Sequence, residues 1–146
     1  MAGSDGQLSP GRRLALALVA HDAKKSEMSD FAAAHQDALA GFALYATGTT
    51  GARVIERCPG LSITRLKSGP LGGDAQLADL ILDRRCRRVL FFEDPHVARQ
   101  HEADIQLLER AARIATDFAS CVNDPSSAAR WARGWAARRD SVSKAT

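Results

Sequence analysis

Five short apolar runs constrain this chain more than any other feature: Leu14 to Ala20, Phe42 to Ala46, Leu61 to Leu66, Val89 to Phe92 and, more weakly, Phe118 to Val122. Each is too short for a buried helix and is bounded by polar or glycine-containing segments, as strands buried on both faces are. Between them lie stretches of helical period. Asp22 to about Leu39 sets Met28, Phe31, Ala32 and His35 near one face, and Asp74 to Arg85 sets Leu77, Leu80 and Ile81 on one face, with Asp74 placed to cap its start. Asp104 to Asp117 repeats the pattern through Leu107, Leu108, Ala111 and Ile114. Asp124-Pro125 then opens a last helix carrying Trp131 and Trp135, four apart on one face and free to pack on their own sheet or on a neighbouring subunit. The order is βαβαβαβαβα. Such alternation predicts an α/β fold, a parallel sheet covered by helices on both faces, with ligands held at the carboxyl ends of the strands.

A chain of 146 residues suits one domain and can bury roughly two thirds of its unfolded surface. Residues 1–11, rich in Gly, Ser and Pro, read as a flexible leader, residues 12–140 as the domain, and 141–146 as a flexible tail. The net charge of +3 comes from scattered basic residues and two clusters, Arg84 to Arg88 and Arg130 to Arg139, with 5% aromatics, so solvated helix faces are expected rather than a nucleic-acid surface. Cys58, Cys86 and Cys121 show neither a disulfide framework nor zinc-ligand spacing, which suits a reducing cytoplasm. The run from Leu14 is too short to span a membrane.

Four strand-to-helix loops are unusually polar: His21-Asp22-Ala23-Lys24-Lys25, Thr47-Gly48-Thr49-Thr50-Gly51, Ser68-Gly69-Pro70-Leu71-Gly72-Gly73-Asp74, and the stretch from Glu93 to Asp104. Glycines that admit close backbone approach, three hydroxyls and the start of a helix give Thr47 to Gly51 the composition of an anion cradle. A hydroxyl-rich helix cap fits that loop equally well when taken alone. Lys25 and the Ser68-Gly69 turn follow neighbouring strands and could converge on the same phosphate. The turn ending in Asp74 would deliver a carboxylate to a helix start, either as a reactive group or as a cap. His21 and His101 are each open to a structural or a catalytic part. Asp22, Asp94 and Asp104 could orient a histidine, cap a helix or, less simply, hold magnesium, and no metal site is expected.

Taken together, HDAKK, YATGTTG, SGPLGGD, FFEDP and QHEAD, in this order and spacing, resemble the methylglyoxal synthase family over roughly residues 12–130. The resemblance implies a Rossmann-like three-layer sandwich with a five-stranded parallel or mostly parallel sheet. It implies a lyase that converts dihydroxyacetone phosphate to methylglyoxal and inorganic phosphate, with no cofactor and no metal. By position, the general base falls on Asp74 and the catalytic histidine on His101; substrate-binding groups fall on His21, Lys25, Thr47, Gly48, Thr49, Thr50, Ser68 and Gly69; Asp22, Asp94 and Asp104 take supporting positions. The family's usual assembly is a homohexamer, and phosphate is a characteristic inhibitor. The competing expectation is a non-catalytic regulatory domain of the same fold that binds a phosphorylated effector; it would not need Asp74 paired with His101.

Overall fold

The computed structural model describes residues 14–67, 72–86, 88–94, 110–111, 113, 120–122 and 126–134, with the backbone alone at 74 and 120–122. The sheet is built from β1 (Ala15–Ala20), β2 (Ala43–Ala46), β3 (Ile63–Arg65), β4 (Arg88–Phe92) and β5 (Ser120–Val122), in the order β3-β2-β1-β4-β5. Every pairing is parallel. The chain therefore leaves the central strand in one direction through β2 and β3, then crosses back to place β4 on the other side of β1. This reversal is the switch point at which open α/β sheets leave a crevice beyond their strand ends.

All six residues of β1 are buried, and their alternation divides the core. Leu16, Leu18 and Ala20 face one layer with Met28, Phe31, Leu39, Val54, Ala128 and Ala132. Ala15, Ala17 and Val19 face the other with Leu77, Ala78, Ile81 and Ala111. The first layer is formed by α1 (Lys25–Ala34), α2 (Gln36–Leu39), α3 (Gly48–Arg57) and α5, residues 126–134; the second contains α4 (Gly73–Leu82) and the helical residues 110–111. Helices thus cover both faces of a parallel sheet, as the alternation of patterns requires. Leu16, Leu18 and Leu90 are fully buried, and each contributes about 1.5–3 kcal/mol by leaving water.

Several boundaries differ from the sequence reading, for local reasons. The helix expected from Asp22 to Leu39 is three pieces: a 3-10 turn at Asp22–Lys24, then α1 and α2. It breaks at His35 (φ −126°, ψ 31°), whose amide is shared between the carbonyls of Phe31 and Ala32. The break lets Ala38 and Leu39 turn into the core before β2. β3 is only three residues long and half-exposed, as an edge strand can be. β4 starts one residue early, at Arg88, because its guanidinium leaves the sheet and lies over Trp131, 4.7 Å from the ring centroid. Trp131 also packs on Phe42 at 5.3 Å, so this tryptophan covers its own core at the amino ends of the strands. Trp135 lies outside the described residues.

Asp74 is not the cap of α4. Gly72 occupies that place with φ 104°, a left-handed conformation that favours glycine, and its carbonyl accepts the Gln76 amide at 3.0 Å. A second glycine is set by packing: a Cβ on Gly51 would stand 2.8 Å from Arg65 Cγ and 3.2 Å from Ala46 Cβ, so α3 approaches β2 and β3 more closely than alanine allows. Cys58 and Cys86 are free thiols buried in opposite layers, and burial pushes the Cys86 thiol up to about 12. Among the described residues no helix is long and apolar enough to cross a membrane.

His35 supplies a pH test of this packing. Burial, with the nearby Arg133 charge, holds its imidazole below the ordinary value of 6.5. The unfolded chain therefore takes up the proton first, and folding free energy is lost as pH falls through about 6.5 towards the folded-state value. Denaturant midpoints measured between pH 7 and 5 should fall less steeply in His35→Gln than in the parent; equal slopes would show that His35 carries no such linkage.

Candidate active site

The polar loops after β1 and β2 emerge side by side at the carboxyl edge of the sheet, with the first residues after β4. Ala20 is paired with Phe92 across β1 and β4, and the His21 amide extends that ladder by donating to the Phe92 carbonyl at 3.2 Å. His21 and Asp94 are consequently neighbours at the switch point. The Asp94 backbone amide donates to His21 Nδ1 at 2.7 Å, and both residues are buried. A backbone N–H can only donate, so Nδ1 carries no proton; the neutral ring bears its hydrogen on Nε2 and can donate from there. Phe91 meets the ring edge-on with centroids 5.2 Å apart. Asp94 thus acts on His21 through its peptide group.

Lys25 opens α1, yet it is 9% exposed, which is unusual for lysine. Its ammonium donates to Asp22 Oδ1, three residues earlier, and to Thr49 Oγ1 at 2.5 Å, 24 residues later. The Asp22 side chain is 96% exposed, so water screens that pairing and leaves the cation only weakly compensated. An ammonium has three hydrogens; two are directed at Asp22 and Thr49, leaving capacity for a further acceptor.

Thr47 stands at the N-cap of α3 with extended backbone, and its carbonyl accepts the Gly51 amide at 2.7 Å. The Gly48 amide goes to the Lys67 carbonyl at 3.2 Å. Helix geometry gives the amides of Thr49 and Thr50 no acceptor within the helix, and they lie at its positive dipole end. Thr50 is buried, its hydroxyl 3.4 Å from the Ala20 carbonyl and from Thr47 Oγ1, while Thr49 is exposed beside Lys25. Arg65 donates through Nε to the Gly48 carbonyl at 3.1 Å, laying a second cation across the same turn. A helix start that exposes Thr49, a buried ammonium from the loop after β1 and the threonine hydroxyls of the loop after β2 form a place for a compact anion.

Asp74 is the second residue of α4, where a carboxylate is favoured by the unpaired amides of the first turn. Ser68, Gly69, His101 and Asp104 lie outside the described residues. The structure therefore brings together His21, Asp22, Lys25, Thr47, Gly48, Thr49, Thr50 and Asp94, with the start of α4 anchored beside them through Lys67. Two residues were not anticipated. Arg65 reads in sequence as a cation ending a strand, and Gln76 as a solvated helix position; neither carries a local signal, since the partner of each is remote in sequence.

Comparison with known proteins agrees with this geometry. Residues 27–116 match the family model described as MGS-like domain. The methylglyoxal synthase of Agrobacterium fabrum is 52% identical over 99 residues, covering 68% of this chain and 78% of that protein. The methylglyoxal synthase of Thermus thermophilus is 49% identical over 100 residues, covering 68% and 79%. Among solved structures, a methylglyoxal synthase from Elizabethkingia anophelis NUHP1 matches with a TM-score of 0.72 at 35% identity, covering 82% of this chain and 77% of the other. By sequence and by fold, this chain belongs to the methylglyoxal synthase family.

Proposed function

We infer that the chain is a methylglyoxal synthase, a carbon–oxygen lyase that converts dihydroxyacetone phosphate to methylglyoxal and inorganic phosphate. The observation that carries the site assignment is the reach of Lys25 across to Thr49, which joins the loops after β1 and β2 into one anion cradle. The phosphate would rest on Lys25, Thr47, Gly48, Thr49 and Thr50, with Ser68 and Gly69 completing the cradle by family resemblance.

Asp74 would take a proton from the carbon next to the carbonyl, and the electron pair left behind would form an enediolate. The carbon–oxygen bond to phosphate would then break, with that oxygen keeping the bonding pair as phosphate leaves; the enol that remains becomes methylglyoxal. His101 would serve the carbonyl oxygen. His21, its hydrogen on Nε2, would donate to a substrate oxygen as a neutral group rather than shuttle a proton. Triose isomerisation opens with the same pair of roles, a carboxylate base and a neutral imidazole. Here the anion cradle favours departure of the phosphate.

The reading calls for no cofactor or metal. It takes inorganic phosphate as a competing ligand, a cytoplasmic setting, and a homohexamer as the assembly. Incubating the purified protein with dihydroxyacetone phosphate should release methylglyoxal and phosphate in equal amounts. Binding of the triose phosphate without release of either product would instead identify a regulatory module of the same fold.

A further inference from the structure

We propose that Gln76 is a positioning residue that registers the Asp74-bearing helix against the anion cradle, an inference that rests on reading Asp74 as the base and the start of α3 as the phosphate site. The link is a single residue, Lys67, with both backbone groups engaged. Its carbonyl accepts the Gly48 amide at 3.2 Å, at the first residue of α3. Its amide donates to Gln76 Oε1 at 2.8 Å, in the first turn of α4. One peptide residue therefore ties together the beginnings of the two helices that would hold the phosphate and the base.

Gln76 is exposed. Water could satisfy both its amide and that of Lys67, so burial does not force this contact; its effect is geometric. The geometry matters because the entry to α4 is adaptable at Gly72. Gly72 enters α4 with φ 104°, and a glycine in that region imposes little of its own direction on the helix that follows. The Gln76 bond ties that entry to Lys67, nine residues before it. Asp74 lies two positions before Gln76 in the same turn, so a drift of that turn is a drift of the base relative to the phosphate.

Sideways movement of a reacting group affects rate more than binding, because near-attack geometry is lost while the phosphate contacts persist. A single hydrogen bond of about 0.5–1.5 kcal/mol biases the aligned arrangement by roughly 2- to 13-fold. The expected signature is a fall in kcat at nearly constant KM.

The test compares Gln76→Met, which keeps length and helix propensity but has no good acceptor, with Gln76→Glu, which keeps an oxygen. Gln76→Met should lower kcat by about three- to tenfold with KM for dihydroxyacetone phosphate within about twofold, and the Lys67 amide should exchange with solvent faster. Gln76→Glu should hold kcat within about twofold of the parent, since its carboxylate can still accept the Lys67 amide. A parental kcat in Gln76→Met, an equal loss in Gln76→Glu, or unchanged Lys67 exchange in Gln76→Met would each overturn the proposal. Full turnover in Asp74→Asn would strike the base assignment instead, while the Lys67 exchange rate would still read the link itself.

Discussion

Replacing Asp74 by asparagine should reduce methylglyoxal production by at least about a hundredfold, the lower end of what a positioned general base contributes. The substitution keeps the size of the side chain and removes its basic oxygen. The capping position is held by Gly72, and Asp74 sits one residue inside the helix. Loss of the charge there would cost about 0.3–1 kcal/mol of dipole interaction, far short of the effect on rate. Phosphate affinity should stay near the parental value, since Lys25 and the start of α3 belong to other loops. Titration with phosphate by calorimetry, alongside the turnover assay, separates the two outcomes. An Asp74→Asn protein that turns over at the parental rate would remove Asp74 from the chemistry.

Lys25→Met should weaken phosphate binding by about 10- to 100-fold, the loss of a charge-assisted hydrogen bond of roughly 1.5–3 kcal/mol. Methionine keeps the buried stem, so the packing under α1 is retained while the ammonium is lost. Asp22 then loses its cation, but its exposed carboxylate is well solvated and the fold should hold. Thr49→Ala removes a smaller contribution and should weaken phosphate only a few-fold. Both affinities can be read in one calorimetric series. Parental affinity in Lys25→Met would mean that its ammonium serves Asp22 and Thr49 alone, and the cradle would have to be sought elsewhere.

The sheet could be read from sequence because a strand buried on both faces must be apolar at every position, and β1 is. The loops could be read because several of them, each polar, directly follow an apolar run: alone the threonines fit a helix cap as well as an anion site, but Lys25 and the Ser68-Gly69 turn after neighbouring runs point to one shared ligand. What stayed hidden depends on tertiary geometry. The break at His35 answers the need of Ala38 and Leu39 to reach the core, and no residue type announces it. Asp94 contributes to His21 through a peptide N–H that any residue but proline would offer. Gln76 is an ordinary helix residue whose partner is fixed only once the chain after β3 meets the first turn of α4. His101 and Asp104 rest on family resemblance alone, and they lie beyond the described residues.

The crowding around Gly51 has a consequence for protein engineering. Exchanging a glycine inside a helix for alanine is a standard route to thermostability and is worth about 0.8–1 kcal/mol in helix propensity. At Gly51 the added methyl would press on Ala46 and Arg65, and overpacking of that kind costs about 1–3 kcal/mol. It would also push the first turn of α3 away from the strand ends that align its amides. Gly60 is a freer target: a Cβ there meets nothing within 4 Å. A programme to harden this enzyme should therefore rigidify the α3-to-β3 turn and leave the glycine that seats the helix untouched.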